Sequence, residues 1–100
     1  MEIKIHSLHF NADQKLIDFV QTKVNKLSQF LENIIMAEVF LRLDNSETAE
    51  NKVAEIRLEV PNVKEMFAKR QTKSFEESVD LAVEALRTQL LKHKEKARKM

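Results

Sequence analysis

The stretch SFEESVDLAVEALRTQLLKHKEKAR, residues 74–98, decides the fold because it combines a helix start signal with a long apolar stripe. Ser74, followed three residues later by Glu77, is a capping box, which satisfies free amide groups at the start of a helix. Apolar residues then recur at three- and four-residue steps and therefore lie on one helix face. The stripe contains Phe75, Val79, Ala82, Leu86, Leu90 and His93. The pattern predicts an amphipathic helix over 75–98, about 36 Å long at 1.5 Å per residue.

Three earlier stretches alternate between apolar and polar residues, which is typical of strands with one buried face. They are EIKIHSL at 2–8, IMAEVFLRL at 35–43 and KVAEIRLEV at 52–60. The polar segment DNSETAEN, 44–51, predicts a loop between the second and third strands. Pro61 and Asn62 form a turn signal, since proline presets φ and asparagine tolerates the left-handed region. A fourth strand is predicted from Val63 to about Lys73.

The segment between the first two strands predicts another helix, from about 13 to 32. Asp13 is a good N-cap, with Asn11 as its competitor. Apolar residues follow at helical spacing, namely Leu16, Phe19 or Val20, Val24, Leu27 and Leu31. The order is therefore β-α-β-β-β-α. It predicts a two-layer α+β domain over 1–100, in which both helices pack on one face of a four-stranded mixed sheet.

Composition excludes several function classes. The 100 residues contain no cysteine and no glycine, which rules out disulfides, thiolate metal sites and glycine-rich phosphate loops. No apolar run approaches the roughly 20 residues that span a bilayer, so a soluble cytoplasmic protein without a membrane partner is expected. His6, His9 and His93 lack metal-binding spacing, and no nucleophile elbow is present. We therefore expect no enzyme, no cofactor, no metal site and no small-molecule substrate.

Positive charge is concentrated in the second part of the chain. Residues 1–63 carry seven Lys/Arg against ten Asp/Glu, whereas residues 64–100 carry ten against six. The helices are predicted to align their cations into a single ridge, which the segment before the last helix extends. The candidate residues are Lys23, Lys26, Lys69, Arg70, Lys73, Arg87, Lys92, Lys94, Lys96, Arg98 and Lys99. Basic residues at a helix C-terminus also complement the helix dipole, so charge alone leaves open whether they bind a polyanion or are merely solvated.

The aromatic residues bear on how a nucleic acid would be bound. Six Phe are the only aromatics, and most occupy predicted core positions, with Phe40 as an exception on the outer sheet face. An aromatic platform for stacking bases is therefore not expected. Binding would rely on phosphates and shape. The layout is similar to that of double-stranded RNA binders, which favours structured RNA as the partner.

Three segments resemble the ribosome hibernation promoting factor family, which includes the ribosome-associated inhibitor also called protein Y. They are LRTQLLKHKEK at 86–96, FAKRQ at 67–71 and LIDFVQTKVNKLSQF at 16–30. The resemblance implies a bacterial factor that binds the 30S ribosomal subunit and its 16S rRNA in the mRNA and tRNA channel. It also implies that translation is inhibited in stressed or stationary cells. Carried over by position, the implied RNA-binding residues are Lys23, Lys26, Arg87, Lys92, His93, Lys94 and Lys96.

The chain departs from the family pattern in two respects. Glu76 replaces a family tyrosine before the last helix, which removes any contact that a tyrosine would make there. The chain resembles the short form, which implies that a separate factor would be needed to pair ribosomes. Two other function classes remain open: a non-catalytic module that binds an acidic protein partner, and an enzyme built on this small scaffold.

Overall fold

The computed structural model describes residues 1–45 and 48–98, with side chains up to residue 96. The chain forms β1 (Glu2–Leu8), α1 (Gln14–Asn25), a 3-10 helix (Lys26–Gln29), β2 (Met36–Leu43), β3 (Lys52–Glu59), β4 (Met66–Thr72) and α2 (Phe75–Arg98). The strands lie in the order β1-β2-β3-β4. β1 is parallel to β2, and the other two pairings are antiparallel. The predicted α+β class and the order β-α-β-β-β-α are confirmed.

The core lies between one face of the sheet and the two helices, as predicted. Ile5, Val39, Ile56 and Ala68 are register partners and form one row across all four strands on the helix side. The helices contribute a matching apolar stripe, whose buried members are Leu16, Val20 and Val24 from α1 and Val79, Ala82, Val83, Leu86 and Leu90 from α2. Alternation along the strands therefore sends every second side chain into this layer and leaves the others on the outer face.

The first helix is shorter than the sequence predicts. It begins after Asp13, whose side chain accepts a 2.9 Å hydrogen bond from the Leu16 amide, which confirms the predicted cap. Its α-helical part ends at Asn25 and continues as the 3-10 helix, although a helix to about 32 was expected. The Ser28 hydroxyl donates to the Asn25 carbonyl at 2.8 Å, and such back-bonding competes with regular helix geometry. The tighter turn still buries Leu27 completely.

The fourth strand is also shorter than predicted. It begins at Met66 because residues 61–65 complete the reversal from β3. Asn62 adopts φ 68°, in the left-handed region expected for it. The Val63 amide then donates to the Val60 carbonyl at 3.2 Å and closes the turn.

A hydroxyl network fixes the start of α2 against the sheet. Ser74 Oγ accepts from the Glu77 amide at 3.1 Å, as the capping box predicts. The Ser74 amide, however, donates to Thr72 Oγ1 at 3.3 Å and not to the Glu77 carboxylate. The fully buried Ser78 hydroxyl lies 2.8 Å from Thr72 Oγ1 and donates to the Lys52 carbonyl at 2.7 Å. This network joins β3, β4 and α2 at one point.

Ser78→Ala is expected to lower the free energy of unfolding by about 1–2 kcal/mol, because it leaves buried hydrogen-bonding groups without their partner. Urea denaturation followed by circular dichroism measures the effect. Thr88→Ala removes an exposed hydroxyl from the same helix, one that donates to the Glu84 carbonyl, and serves as the control. Equal destabilisation by the two substitutions would contradict a special role for Ser78.

Candidate nucleic-acid interface

Cations from both helices meet in a depression that we call the helix groove. It lies where α1 and the 3-10 helix run beside α2 and has a volume of about 190 Å³. Its lining includes Lys23, Lys26, Phe30, Asp80 and Arg87. The sequence placed Lys23 and Lys26 on one side of the first helix, and both do line this groove. Basic side chains distant in the sequence are thus brought together by helix packing.

The groove cations are held by rings and by acids. Lys23 Nζ lies 3.1 Å from Asp80 Oδ1 and 5.6 Å from the centre of the Phe19 ring. Arg87 lies 5.4 Å from the centre of the Phe30 ring, within cation–π range. These contacts join α1 and the 3-10 helix to α2 and fix the positions of the positive charges.

A second acid stands next to Arg87. Glu84 Oε2 lies 3.5 Å from Arg87 Nη1, one helical turn earlier. Asp80, Glu84, Arg87 and Lys94 follow at steps of four, three and seven residues and therefore share one side of α2. Lys94 accordingly lines the neighbouring depression formed by residues 29–33.

Another group of cations lies on the opposite flank of α2. Gln89 Nε2 donates to the Phe67 carbonyl of β4 at 2.9 Å, which identifies this side of the helix as the one that faces β4. Lys92 and Lys96 follow Gln89 by three and seven residues and therefore share its side. We call this surface the β4 flank; Arg70 of β4 lies on the same flank but nearer the start of α2, because Thr72 contacts Ser78 and Phe67 contacts Gln89.

Within the part of the chain that the structure describes, the cations of the β4 flank form no ion pair, although Glu95 lies between Lys92 and Lys96 in the sequence. Lys92, Lys96 and Arg70 are exposed there, and no described carboxylate lies within 4 Å of their cationic nitrogens. Arg70 reaches this side because β4 alternates, so that Met66, Ala68 and Arg70 share one direction.

The expectation of one continuous ridge is therefore wrong. Arg87 and Lys92 are five residues apart, which at 3.6 residues per turn rotates them by about 140° around α2. Their rows point to opposite flanks of the helix, one towards α1 and one towards β4. The protein has two separate basic surfaces.

Other predicted residues lie apart from both surfaces. Alternation along β4 places Lys69 with the exposed Phe67 on the outer face of the sheet, away from the helices. Lys73 is exposed in the bend between β4 and α2. His93 is half-buried and follows Leu90 by three residues, so it belongs to the apolar side of the helix. Arg98 is the last residue of α2, but its side chain lies outside the described part of the chain, as does the whole of Lys99.

The outer sheet face carries two phenylalanine rings, each with a neighbouring side chain against it. His6 stacks on Phe40 at 4.9 Å between ring centres, and its Nε2 lies 2.9 Å from Glu38 Oε2. This confirms Phe40 as an outward-facing residue. Phe67 also faces outward, although most phenylalanines were expected in the core. Its side chain is 46% exposed and lies beside the Arg57 guanidinium.

A hydrogen bond ties Arg57 to the neighbouring acid on this face. Arg57 Nε donates to Glu55 Oε2 at 2.6 Å, and this bond together with the charge of the carboxylate raises the pKa of Arg57. The guanidinium is thus held in place beside the Phe67 ring.

Residues 1–45 and 48–98 contain neither a metal-binding cluster nor a membrane-spanning helix. No group of three His, Asp or Glu side chains there could hold a metal ion. None of the helices in these ranges has the length and apolarity required to cross a membrane.

The acids and rings of the helix groove were not among the residues predicted from the sequence. Asp80, Glu84, Phe19 and Phe30 form the contacts that fix its cations. Asp80 and Glu84 could have been identified from their spacing to Arg87, because four- and three-residue steps share a helix side. The partnership between Phe30 and Arg87 has no local signal, since it depends on how the helices pack.

Comparison with known proteins identifies relatives of the whole fold. The sequence profile of the family described as Sigma 54 modulation protein / S30EA ribosomal protein matches residues 3–98. A ribosomal subunit interface protein from Coxiella burnetii is similar in structure, with a TM-score of 0.82 and 18% identity, over 94% of this chain and 98% of that one. The N-terminal domain of Thermus thermophilus protein Y is similar at a TM-score of 0.79 and 23% identity, over 93% and 99% of the two chains. No curated protein sequence matches the chain.

Proposed function

The chain belongs to the Sigma 54 modulation protein / S30EA ribosomal protein family, which confirms the resemblance to hibernation promoting factors, and from this premise we propose that it is a ribosome-associated translation inhibitor. Its partner is the 30S subunit, and it binds 16S rRNA in the channel used by mRNA and tRNA. The chain acts as one ribosome-binding domain in the cytoplasm of stressed or stationary bacterial cells. No catalytic step is part of the proposal.

One observation carries this proposal: two basic surfaces flank the same long helix. The helix groove offers Lys23, Lys26 and Arg87, with Lys94 in the neighbouring depression, and the β4 flank offers Arg70, Lys92 and Lys96. Phosphate groups dominate the affinity of proteins for nucleic acids. Cations on opposite flanks suit a ligand whose phosphates surround the helix, as folded RNA does and a single extended strand does not.

The outer sheet face supports recognition of shape over recognition of bases. Unpaired bases are usually bound by open aromatic faces. Here His6 stacks on Phe40, and Phe67, although 46% exposed, is an isolated ring with the Arg57 guanidinium beside it. The proposed contacts are therefore made with the backbone of structured RNA, through the helix groove and the β4 flank.

Salt dependence of binding to purified 30S subunits tests the proposal. About six phosphate contacts predict that log K falls against log[salt] with a slope of about −5, because each contact releases condensed counterions. The measurement is co-sedimentation between 50 and 300 mM KCl, with 50S subunits as the control particle. A pull-down from lysate provides a second readout. Nuclease treatment of the lysate should abolish the binding of ribosomal RNA to the protein.

A slope shallower than −2, or equal binding to 50S subunits, would contradict recognition of 30S RNA. Capture of a single acidic protein that survives nuclease treatment would instead support the protein-interaction module. Inhibition of an in vitro translation reaction by the purified chain, at concentrations that saturate the 30S subunit, tests the inhibitory half of the proposal.

A further inference from the structure

The two basic surfaces differ in how their charges are balanced. In the helix groove, Lys23 is paired with Asp80 and Arg87 with Glu84. On the β4 flank, among the residues that the structure describes, Lys92 and Lys96 have no carboxylate within 4 Å. A phosphate that approaches Lys23 or Arg87 therefore meets a carboxylate paired with that cation, whereas the described carboxylates form no ion pair with Lys92 or Lys96.

The groove acids are placed where they oppose a phosphate directly. The side chains of Lys23 and Asp80 are 31% and 54% exposed, and those of Arg87 and Glu84 are 45% and 62% exposed. All four charges therefore face solvent at the surface where a ligand would arrive. Like charges a few ångströms apart repel each other, and the repulsion is stronger next to a protein surface than in bulk water.

Aromatic rings make further contacts with the same two cations and favour these positions beside the acids. Lys23 lies over Phe19 and Arg87 over Phe30, on the two sides of the groove. A ligand can engage both cations only if its phosphates approach from directions that avoid the carboxylates. A flexible polyanion has no fixed phosphate spacing and gains little from such a site, whereas a folded RNA of matching shape gains the full contact.

We propose that Asp80 and Glu84 are specificity-determining residues, which reject generic polyanions from the helix groove and leave it open to RNA of matching shape. The inference rests on the proposed function and adds to it a repulsive element of the kind that selective interfaces use. The β4 flank then supplies affinity for any polyanion, and the acid-paired groove supplies the discrimination.

Neutralising each acid tests the proposal, with a fluorescent 30-nucleotide poly(U) strand as the generic polyanion and purified 30S subunits as the structured RNA. Asp80→Asn and Glu84→Gln should each tighten poly(U) binding by about 3- to 10-fold, because the repulsion is removed. Binding to 30S subunits should tighten less than poly(U) binding does, so selectivity falls. Glu59→Gln changes the net charge equally on the outer sheet face and should alter both affinities by less than about twofold.

Salt titration of poly(U) binding separates this role from a structural one. If the acids block phosphates, their removal lets Lys23 and Arg87 contact poly(U), and the double variant should steepen the slope by about 1 to 2. A merely structural change would leave the slope unaltered. Glu84→Gln keeps the test decisive if Asp80→Asn weakens the packing of the two helices, because Glu84 pairs within α2 alone.

Three outcomes would overturn the inference: unchanged or weaker poly(U) binding by both variants, equal tightening for 30S subunits and poly(U), or an equal effect of Glu59→Gln. Failure of the proposed function is recognised separately. If the wild-type protein does not sediment with 30S subunits, that function is wrong, and the poly(U) measurements still decide whether the groove acids reject polyanions.

Discussion

The double variant Lys92→Glu/Lys96→Glu should bind 30S subunits at least about 25-fold more weakly at 0.15 M salt. Each phosphate contact contributes about fivefold at this salt concentration, given a slope of 0.9 per contact, so two lost contacts multiply to about 25-fold. The new carboxylates add repulsion. Both lysines are exposed on the β4 flank, where no described acid within 4 Å already weakens them.

Fluorescence anisotropy of a labelled protein titrated with 30S subunits measures this loss. Lys4→Glu/Lys64→Glu is the matched control, because it changes the charge by the same amount at two other exposed positions. Glutamate near a helix C-terminus opposes the dipole by about 0.3–1 kcal/mol per residue, so the thermal transition of each variant is recorded as well. An equal loss of affinity in the control would mean that net charge, and not the β4 flank, governs binding.

Leu86→Ala should lower the free energy of unfolding by about 2–5 kcal/mol, which is a large part of the stability of a domain this small. Leu86 is completely buried on the stripe that α2 packs against the sheet. Its truncation removes apolar contact and leaves a cavity that the surrounding strands cannot fill, because hydrogen bonds within the sheet fix their backbone.

Urea denaturation measures the difference, and Leu81→Ala is the control on the same helix. Leu81 is 43% exposed, so the same chemical change should cost less than about 1 kcal/mol there. Similar values for the two variants would show that α2 is not packed through the Leu86 side. The m-value should stay the same if both variants unfold in one step.

The buried faces of the helices and strands could be predicted from the sequence. The amphipathic pattern that marks them depends only on whether nearby residues are polar or apolar. Alternation identified the inward row that includes Val39 and Ile56, and three- and four-residue steps identified the buried stripe of α2. The start of each helix was predictable as well, since Asp13 and Ser74 cap through hydrogen bonds within three residues. Local rules suffice for features of this range.

The predictions were wrong where the local sequence is compatible with two backbone or side-chain arrangements. After Asn25 the first helix continues as a 3-10 helix, because the Ser28 hydroxyl donates to the Asn25 carbonyl. The tighter turn still places Leu27 in the core. Only Phe40 was predicted as an outward-facing ring, yet alternation from the buried Met66 turns Phe67 outward as well, where it packs beside Arg57. Strand register outweighs hydrophobicity at this position, because a slip by one residue would expose Met66 and Ala68 instead.

By itself the sequence determined that this chain has two helices on one face of a four-stranded sheet, and that its later part is basic. Only the tertiary structure decided how that charge is divided. Packing joined Lys23 to Asp80 and Arg87 to Phe30 across the helix groove and left Lys92 on the opposite flank. The physical reason is that hydrophobic periodicity is a local property of one element, whereas an ion pair or a ring contact between elements depends on how helices far apart in the chain are placed against a shared core.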